Sequence, residues 1–216
     1  MAVHSNANSE GRAILDTAIQ AILQGQVLIY PTETLYALGA NALDHKAVER
    51  VVRIKGRAED KPLPVIIGSL HQLPLIVSNV AQEVMDLVRI FWPGALSIVV
   101  PAHKYLSPLT QDDAGSTSVR WSPHPIAQSL CVQSGVPLVG TSANMAGDPP
   151  PSRPEDLDPG LAQSVDCFVA GPPYPKGGLP STLVQVMGGK QLRLLRSGAV
   201  PERALQDAGW VVRQCS

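Results

Sequence analysis

The sequence predicts an α/β layered fold, and three observations carry that prediction. Aliphatic strand-like runs alternate with segments at helical spacing, proline and glycine punctuate the junctions, and 216 residues are enough for one large core. A hydrophobic content of 44% with 16% charged residues is that of a globular chain, while 4% aromatic residues and 20 prolines imply aliphatic strands joined by rigid loops.

From Ser9, SEGRAILDTAIQAILQG places Ile14, Ala18 and Ile22 at helical spacing, with Gly25 near the stop. Residues 1–9 read as a flexible N-terminus and 10–216 as one domain. QVLIYP (26–31) and TLYALGA (34–40) read as strands interrupted at Pro31-Thr32-Glu33. HKAVERVVRIK (45–55) repeats apolar residues at helical spacing and Gly56 ends it, so Lys55 and Arg57 flank a helix C-terminus. PVIIGS, VAQEVMDLVRIFWPG and ALSIVVPA continue the strand, helix, strand rhythm through residue 102. STSVRW, a helix over about 125–134 and VPLVGTSAN extend it to residue 144. The proline-rich tract MAGDPPPSRPEDLDP (145–159) reads as an ordered surface loop. CFVA, STLVQV, QLRLLR and a short end helix are too little for a second core, so their strands are expected in the main sheet. Met187-Gly188-Gly189-Lys190 reads as the turn of a hairpin.

A formal charge of −1 and a pI near 6.5 give no general attraction to nucleic acid or anionic membrane. MAVHSNANSE lacks the apolar centre of a signal peptide, and no apolar run approaches the roughly 18 residues of a membrane span, so a cytoplasmic chain without membrane contact is expected. Cys131, Cys167 and Cys215 fit neither a disulfide framework nor a metal knuckle and read as reduced thiols. There is no GxxxxGK[ST], no GxGxxG after the first strand, no HxxxH and no GxSxG, so covalent catalysis and a structural metal are not expected.

Two clusters stand out. Lys55, Arg57 and Lys61 are either solvated cations at a helix end or a fork for a polyphosphate. Thr141-Ser142-Ala143-Asn144 follows the apolar strand VPLVG, at the strand end where open α/β sheets bind ligands, although Ser and Asn also serve as turn residues. Arg120 lies between apolar strand residues, which requires either an internal carboxylate or a bound anion. Arg196 poses the same question, and Ser181-Thr182 repeats the hydroxyls at a strand edge.

Taken together, YPTETLYALGANA (30–42), KGRAEDKPLPV (55–65), FWPGALSIVV (91–100), SVRW (118–121), VPLVGTSANMAGDPP (136–150), PSTLVQV (180–186) and LLRSGAV (194–200) resemble the YrdC/TsaC-type threonylcarbamoyl-AMP synthases in their order. The resemblance implies a YrdC-like twisted mixed sheet with flanking helices and a concave ligand pocket. It also implies formation of threonylcarbamoyl-AMP from L-threonine, bicarbonate and ATP, with Mg²⁺ accompanying ATP. Downstream threonylcarbamoyl-transferase proteins would pass the group to tRNA. The family's Lys-x-Arg and Ser-x-Asn tetrad falls on Lys55, Arg57, Ser142 and Asn144, the catalytic set. By motif position, Thr32, Thr34, Arg120, Ser142 and Ser181 are expected at threonine, and Lys55, Arg57, Lys61, Ser116, Asn144, Ser152 and Arg196 at ATP. The chain departs from the pattern at Ala37, Ala58, Ala146 and Gln185, and at Ile66, where many relatives carry histidine. Other readings are an RNA-binding or ribosome-maturation protein of the same fold, with weak RNA contact, and a carbamoyl-adenylate module for metal-centre assembly. The near-neutral charge and few aromatics weigh against the former, and the absence of zinc-finger and acylphosphatase-like segments against the latter.

Overall fold

The computed structural model describes residues 5–56, 62–77, 79–145 and 147–214. Helix α1 (Ser5–Leu23) starts ahead of Ser9, since residues 5–8 contain neither proline nor glycine to stop it. Strands β1 (Leu28–Pro31) and β2 (Tyr36–Gly39) pair antiparallel. β2 starts later than the alternation suggests because residues 32–35 close a turn. Thr32 N donates to Leu35 O at 3.1 Å and the Thr32 hydroxyl donates to the same oxygen at 2.7 Å. Helix α2 (His45–Lys55) is capped by Asp44, whose carboxylate accepts from Lys46 N and Ala47 N, and it ends at Gly56 with φ 59°.

β3 (Val65–Ile67), α3 (Gln82–Phe91), β4 (Leu96–Pro101), β5 (Ser116–Trp121) and α4 (Pro125–Ser134) follow the expected rhythm. VPLVG and the residues after it do not form one strand. β6 (Leu138–Val139) closes one edge of a seven-stranded sheet, and β7 (Thr141–Ser142) lies at the edge of a separate four-stranded one. After α5 (Pro159–Ser164), β8 (Cys167–Phe168) joins the smaller sheet beside β1 and not the main sheet where CFVA was expected. The physical reason is Asp166, which accepts from Val27 N at 2.9 Å and takes both ends of the Arg50 guanidinium at 2.6 and 2.9 Å. That fork delivers the chain to β1.

β9 (Thr182–Gly188) and β10 (Gln191–Arg196) form the expected hairpin. Gly189 and Lys190 both have positive φ (60° and 58°), as a type I′ turn requires. α6 (Glu202–Asp207) then leads to β11 (Val211–Gln214), which pairs parallel with β10. The larger sheet runs β11-β10-β9-β4-β5-β3-β6, the smaller β7-β2-β1-β8. One buried cluster takes Ile29, Tyr36 and Leu38 from the smaller sheet and Val65, Ile98, Val119 and Val184 from the larger. A second packs α1 and α4 around Tyr30, Ile66 and Leu138.

The chain changes sheets at Gly140, whose N–H donates to Pro64 O at 2.9 Å. A Cβ there would stand 2.4 Å from Ile66 Cδ1, and one at Gly39 would stand 2.0 Å from the Val139 carbonyl oxygen. Gly140→Ala is therefore expected to lower stability by about 1–3 kcal/mol. Adding Ile66→Val, which removes Cδ1, restores part of the loss, whereas Gly39→Ala collides with backbone and is not restored. Urea midpoints of the three variants check this ordering.

Candidate functional site

β4 and β5 run antiparallel with Ile98 opposite Val119 and Val99 opposite Ser118, so the same register sets Ser97 opposite Arg120. Ser97 also partners Leu183 on β9, and Arg120 partners Ile66 on β3. Cross-strand partners share a face, so Leu183, Ser97, Arg120 and Ile66 form one transverse row. This row floors a cavity of about 230 Å³. Its walls come from Thr32 and Thr34 in the β1–β2 turn, Thr141 and Ser142 on β7, Ser181 before β9 and Arg196 on β10.

Three hydrogen-bonded groups organise these side chains. Arg120 Nη1 donates to Glu33 Oε1, an ion pair whose side chains are 9% and 11% exposed, and Ser122 Oγ donates to Glu33 Oε2 at 2.6 Å. Arg196 donates through Nε to Ser181 O and through Nη2 to Ser181 Oγ, both at 3.0 Å, while Ser181 Oγ lies 2.9 Å from Ser97 Oγ. Lys55, buried at the end of α2, donates from Nζ to Ser142 O at 2.7 Å, to Asn144 Oδ1 at 2.8 Å and to Asn144 O. Ser142 Oγ donates to the same Asn144 Oδ1 at 2.6 Å, and Asn144 Nδ2 donates to Asp148 O at 2.7 Å and Met145 O at 3.0 Å.

The structure thus brings Thr32, Thr34, Arg120, Ser142, Ser181 and Arg196 to one cavity. Lys55 and Asn144 stand behind its wall, bound to the β7 turn. Ser116 shares the strand face of Ser118 and Arg120 but lies at the outer end of β5, opposite Pro101. Ser152 is in the segment that pairs with β2 through Tyr36 N and Pro151 O, 2.9 Å apart, and its hydroxyl neighbours Gly177. Arg57, Lys61, Ala58 and Ala146 lie outside the described residues. Arg120, for which an internal carboxylate and a bound anion were both open, has the internal carboxylate and also faces the cavity. Glu33, Ser97 and Ser118 escaped the sequence reading. Ser97 was visible only as the single hydroxyl of an apolar strand, Ser118 only as one hydroxyl of the polar start of STSVRW, and Glu33 only as the acid of the PTET turn.

Among the described residues no group of three or more His, Cys, Asp or Glu side chains is placed to hold a metal ion, and no helix is long and apolar enough to cross a membrane. Burial pushes the Cys131 thiol up to about 12 and raises that of Cys167, with Asp166 adding to the rise, so neither is a ready nucleophile. Burial lowers the pKa of His124, against opposing contributions from the Pro173 carbonyl and Glu33.

A Mycobacterium tuberculosis protein is 37% identical over 192 residues, covering 88% of this chain and 87% of its own. The threonylcarbamoyl-AMP synthase of Stenotrophomonas maltophilia is 34% identical over 183 residues, covering 83% of this chain and 97% of its own. The crystal structure of Pyrococcus abyssi Sua5 complexed with L-threonine superposes with a TM-score of 0.83 at 30% identity. That match covers 94% of this chain but 59% of the Sua5 chain, so this chain spans about six-tenths of that protein. The Sua5/YciO/YrdC family model, described as "Telomere recombination", matches residues 20–198. With the family model matched over residues 20–198 and the fold superposing over most of its length, the chain belongs to the Sua5/YciO/YrdC family.

Proposed function

We propose that the protein is an L-threonylcarbamoyladenylate synthase acting in the threonylcarbamoyladenosine modification of tRNA. The observation that carries this reading is the cavity at the junction of the two sheets, where Arg120 and Arg196 are set among seven threonine and serine hydroxyls from five segments, Thr32, Thr34, Ser97, Ser118, Thr141, Ser142 and Ser181. A cationic, hydroxyl-lined cavity suits an amino acid joined to a phosphate. The threonylcarbamoyl-AMP synthases among the relatives support the choice of substrates.

The threonine amine and bicarbonate lose water to give a carbamate. A carbamate oxygen then attacks the α-phosphorus of ATP, and pyrophosphate leaves. Arg120 holds the threonine carboxylate, and the hydroxyls of Thr32, Thr34, Ser142 and Ser181 orient the rest of the molecule. Ser116 lies four residues from Arg120 on one strand face, a span of about 13 Å that accommodates the amino acid at one end and the nucleotide at the other. Arg196, Ser152, Asn144 and, by motif position, Arg57 and Lys61 serve ATP, which brings Mg²⁺ with it as part of the substrate. The cations offset the charge that develops on the departing pyrophosphate, and no side chain acts as a nucleophile. Lys55 contributes by fixing Ser142 and Asn144, since its ammonium already binds three oxygens of that turn. The product then passes to threonylcarbamoyl-transferase partner proteins.

RNA contact is a second reading. It draws on Arg193 and Arg213, exposed cross-strand partners on β10 and β11 that lie on the cavity face of the sheet. Like charges set side by side favour an anion.

Three outcomes are expected. Pyrophosphate release requires both L-threonine and bicarbonate, and mass spectrometry detects threonylcarbamoyl-AMP. Absence of release, with salt-dependent RNA binding that weakens in Arg193→Ala, overturns the synthase reading in favour of RNA contact. Arg120→Ala raises the KM for L-threonine by about tenfold to a hundredfold, the usual cost of removing one partner of a charge-assisted pair, and steady-state kinetics measure it. Lys55→Met lowers the urea-derived stability by about 1–3 kcal/mol, because the β7 turn loses a charged donor that three of its oxygens share, and turnover falls with it.

A further inference from the structure

We propose that Glu33 is a positioning residue for Arg120, aiming its guanidinium at the substrate carboxylate and neutralising it so that free anions do not occupy the cavity floor. The inference rests on the synthase reading and deepens it. Glu33 does not line the cavity, whereas Arg120 does, so Glu33 acts through Arg120.

Both carboxylate oxygens of Glu33 are engaged. Oε1 accepts from Arg120 Nη1 and Oε2 accepts from Ser122 Oγ at 2.6 Å. Ser122 Oγ in turn accepts from His124 N at 3.2 Å, which leaves its hydroxyl hydrogen directed at Glu33. The backbone of the turn is tied down as well. Lys176 N donates to Glu33 O at 3.3 Å and Gly177 N donates to Thr34 O at 2.8 Å. Glu33 therefore has little freedom to follow Arg120, and Arg120 settles where Glu33 holds it.

A guanidinium carries five N–H donors in a fixed planar fork, so contact with Glu33 through Nη1 still leaves an edge for a ligand carboxylate. The charge balance matters equally. An uncompensated buried cation draws in whatever anion is at hand, whereas a paired one binds a carboxylate only when further contacts from the ligand add to the attraction. In this cavity those contacts come from the threonine and serine hydroxyls. The pair thus favours a specific amino acid over small anions.

The test compares wild type, Glu33→Gln and Ser122→Ala by threonine-dependent pyrophosphate release at several chloride concentrations, with thermal melts to establish folding. Glu33→Gln is expected to raise the KM for L-threonine by about tenfold or more, with a smaller fall in kcat. It should also make chloride a competitive inhibitor against L-threonine, which a merely structural defect would not do. Ser122→Ala, which loosens Glu33 but keeps its charge, is expected to raise KM a few-fold without chloride inhibition. A folded Glu33→Gln with wild-type KM and no chloride competition overturns the proposal. Should Glu33→Gln not fold, an unchanged KM in Ser122→Ala overturns it. A wild type without threonine-dependent turnover overturns the synthase reading itself, and that result is visible before any variant is made.

Discussion

The cavity depends on a steric constraint at the point where the chain leaves one sheet for the other. Gly140 passes between Pro64, Ile66 and Tyr30 with no room for a side chain, and Gly39 lies as close to Val139. Across the same junction the Tyr30 hydroxyl donates to Val139 O at 2.9 Å, and burial holds its pKa well above the ordinary value, so it stays a donor. The two sheets can therefore approach closely enough for β7 to face the floor row on β3, β4 and β5. Thr141 and Ser142 enter the cavity only because the residue before them has no side chain.

Buried charge is handled differently at each point around this junction. Arg120 meets a carboxylate, while Lys55 meets the carbonyl oxygens of a turn and one amide oxygen. The first arrangement keeps a cation at the cavity surface. The second spends a cation on architecture, tying the end of α2 to the β7 turn at a distance of many residues along the chain. Arg50 and Asp166 do the same for β8, at a half-exposed site where solvent screening limits the stabilisation to about 1 kcal/mol. Arg50 and the Val27 N–H hold the Asp166 pKa below its ordinary value, against an opposing push from burial. The stability that this pair contributes is present at neutral pH and lost as acid titrates the folded carboxylate.

Much of the fold was legible because its signals are local. The spacing of Ala47, Val48, Val51 and Val52 with Gly56 marks α2, and Gly188-Gly189 marks the hairpin, since each depends on a few neighbouring residues. The split of VPLVGTSAN into two sheets was not legible, because it depends on a close approach to residues 30 and 66 that sequence order conceals. For the same reason CFVA was assigned to the wrong sheet, as the fork between Arg50 and Asp166 joins positions far apart in the chain. The candidate site was recognisable through its motifs in Ser142, Arg120 and Ser181. Glu33 was not, because its role follows only from the side chain it meets.

β5 gives the proposed synthase site a fixed unit of length. Arg120, Ser118 and Ser116 occur at every second position of a strand that pairs with β4 over Ser116–Val119 and with β3 over Val119–Trp121, so the interval between them is set by the backbone repeat and not by side-chain adjustment. Such a strand works as a ruler with coarse graduations. A site built on it cannot be retuned by small steps for a longer or shorter ligand. Moving the two ends apart requires a two-residue change that preserves facing and disrupts the register with both neighbours, which ties the size of acceptable substrates to the integrity of the sheet.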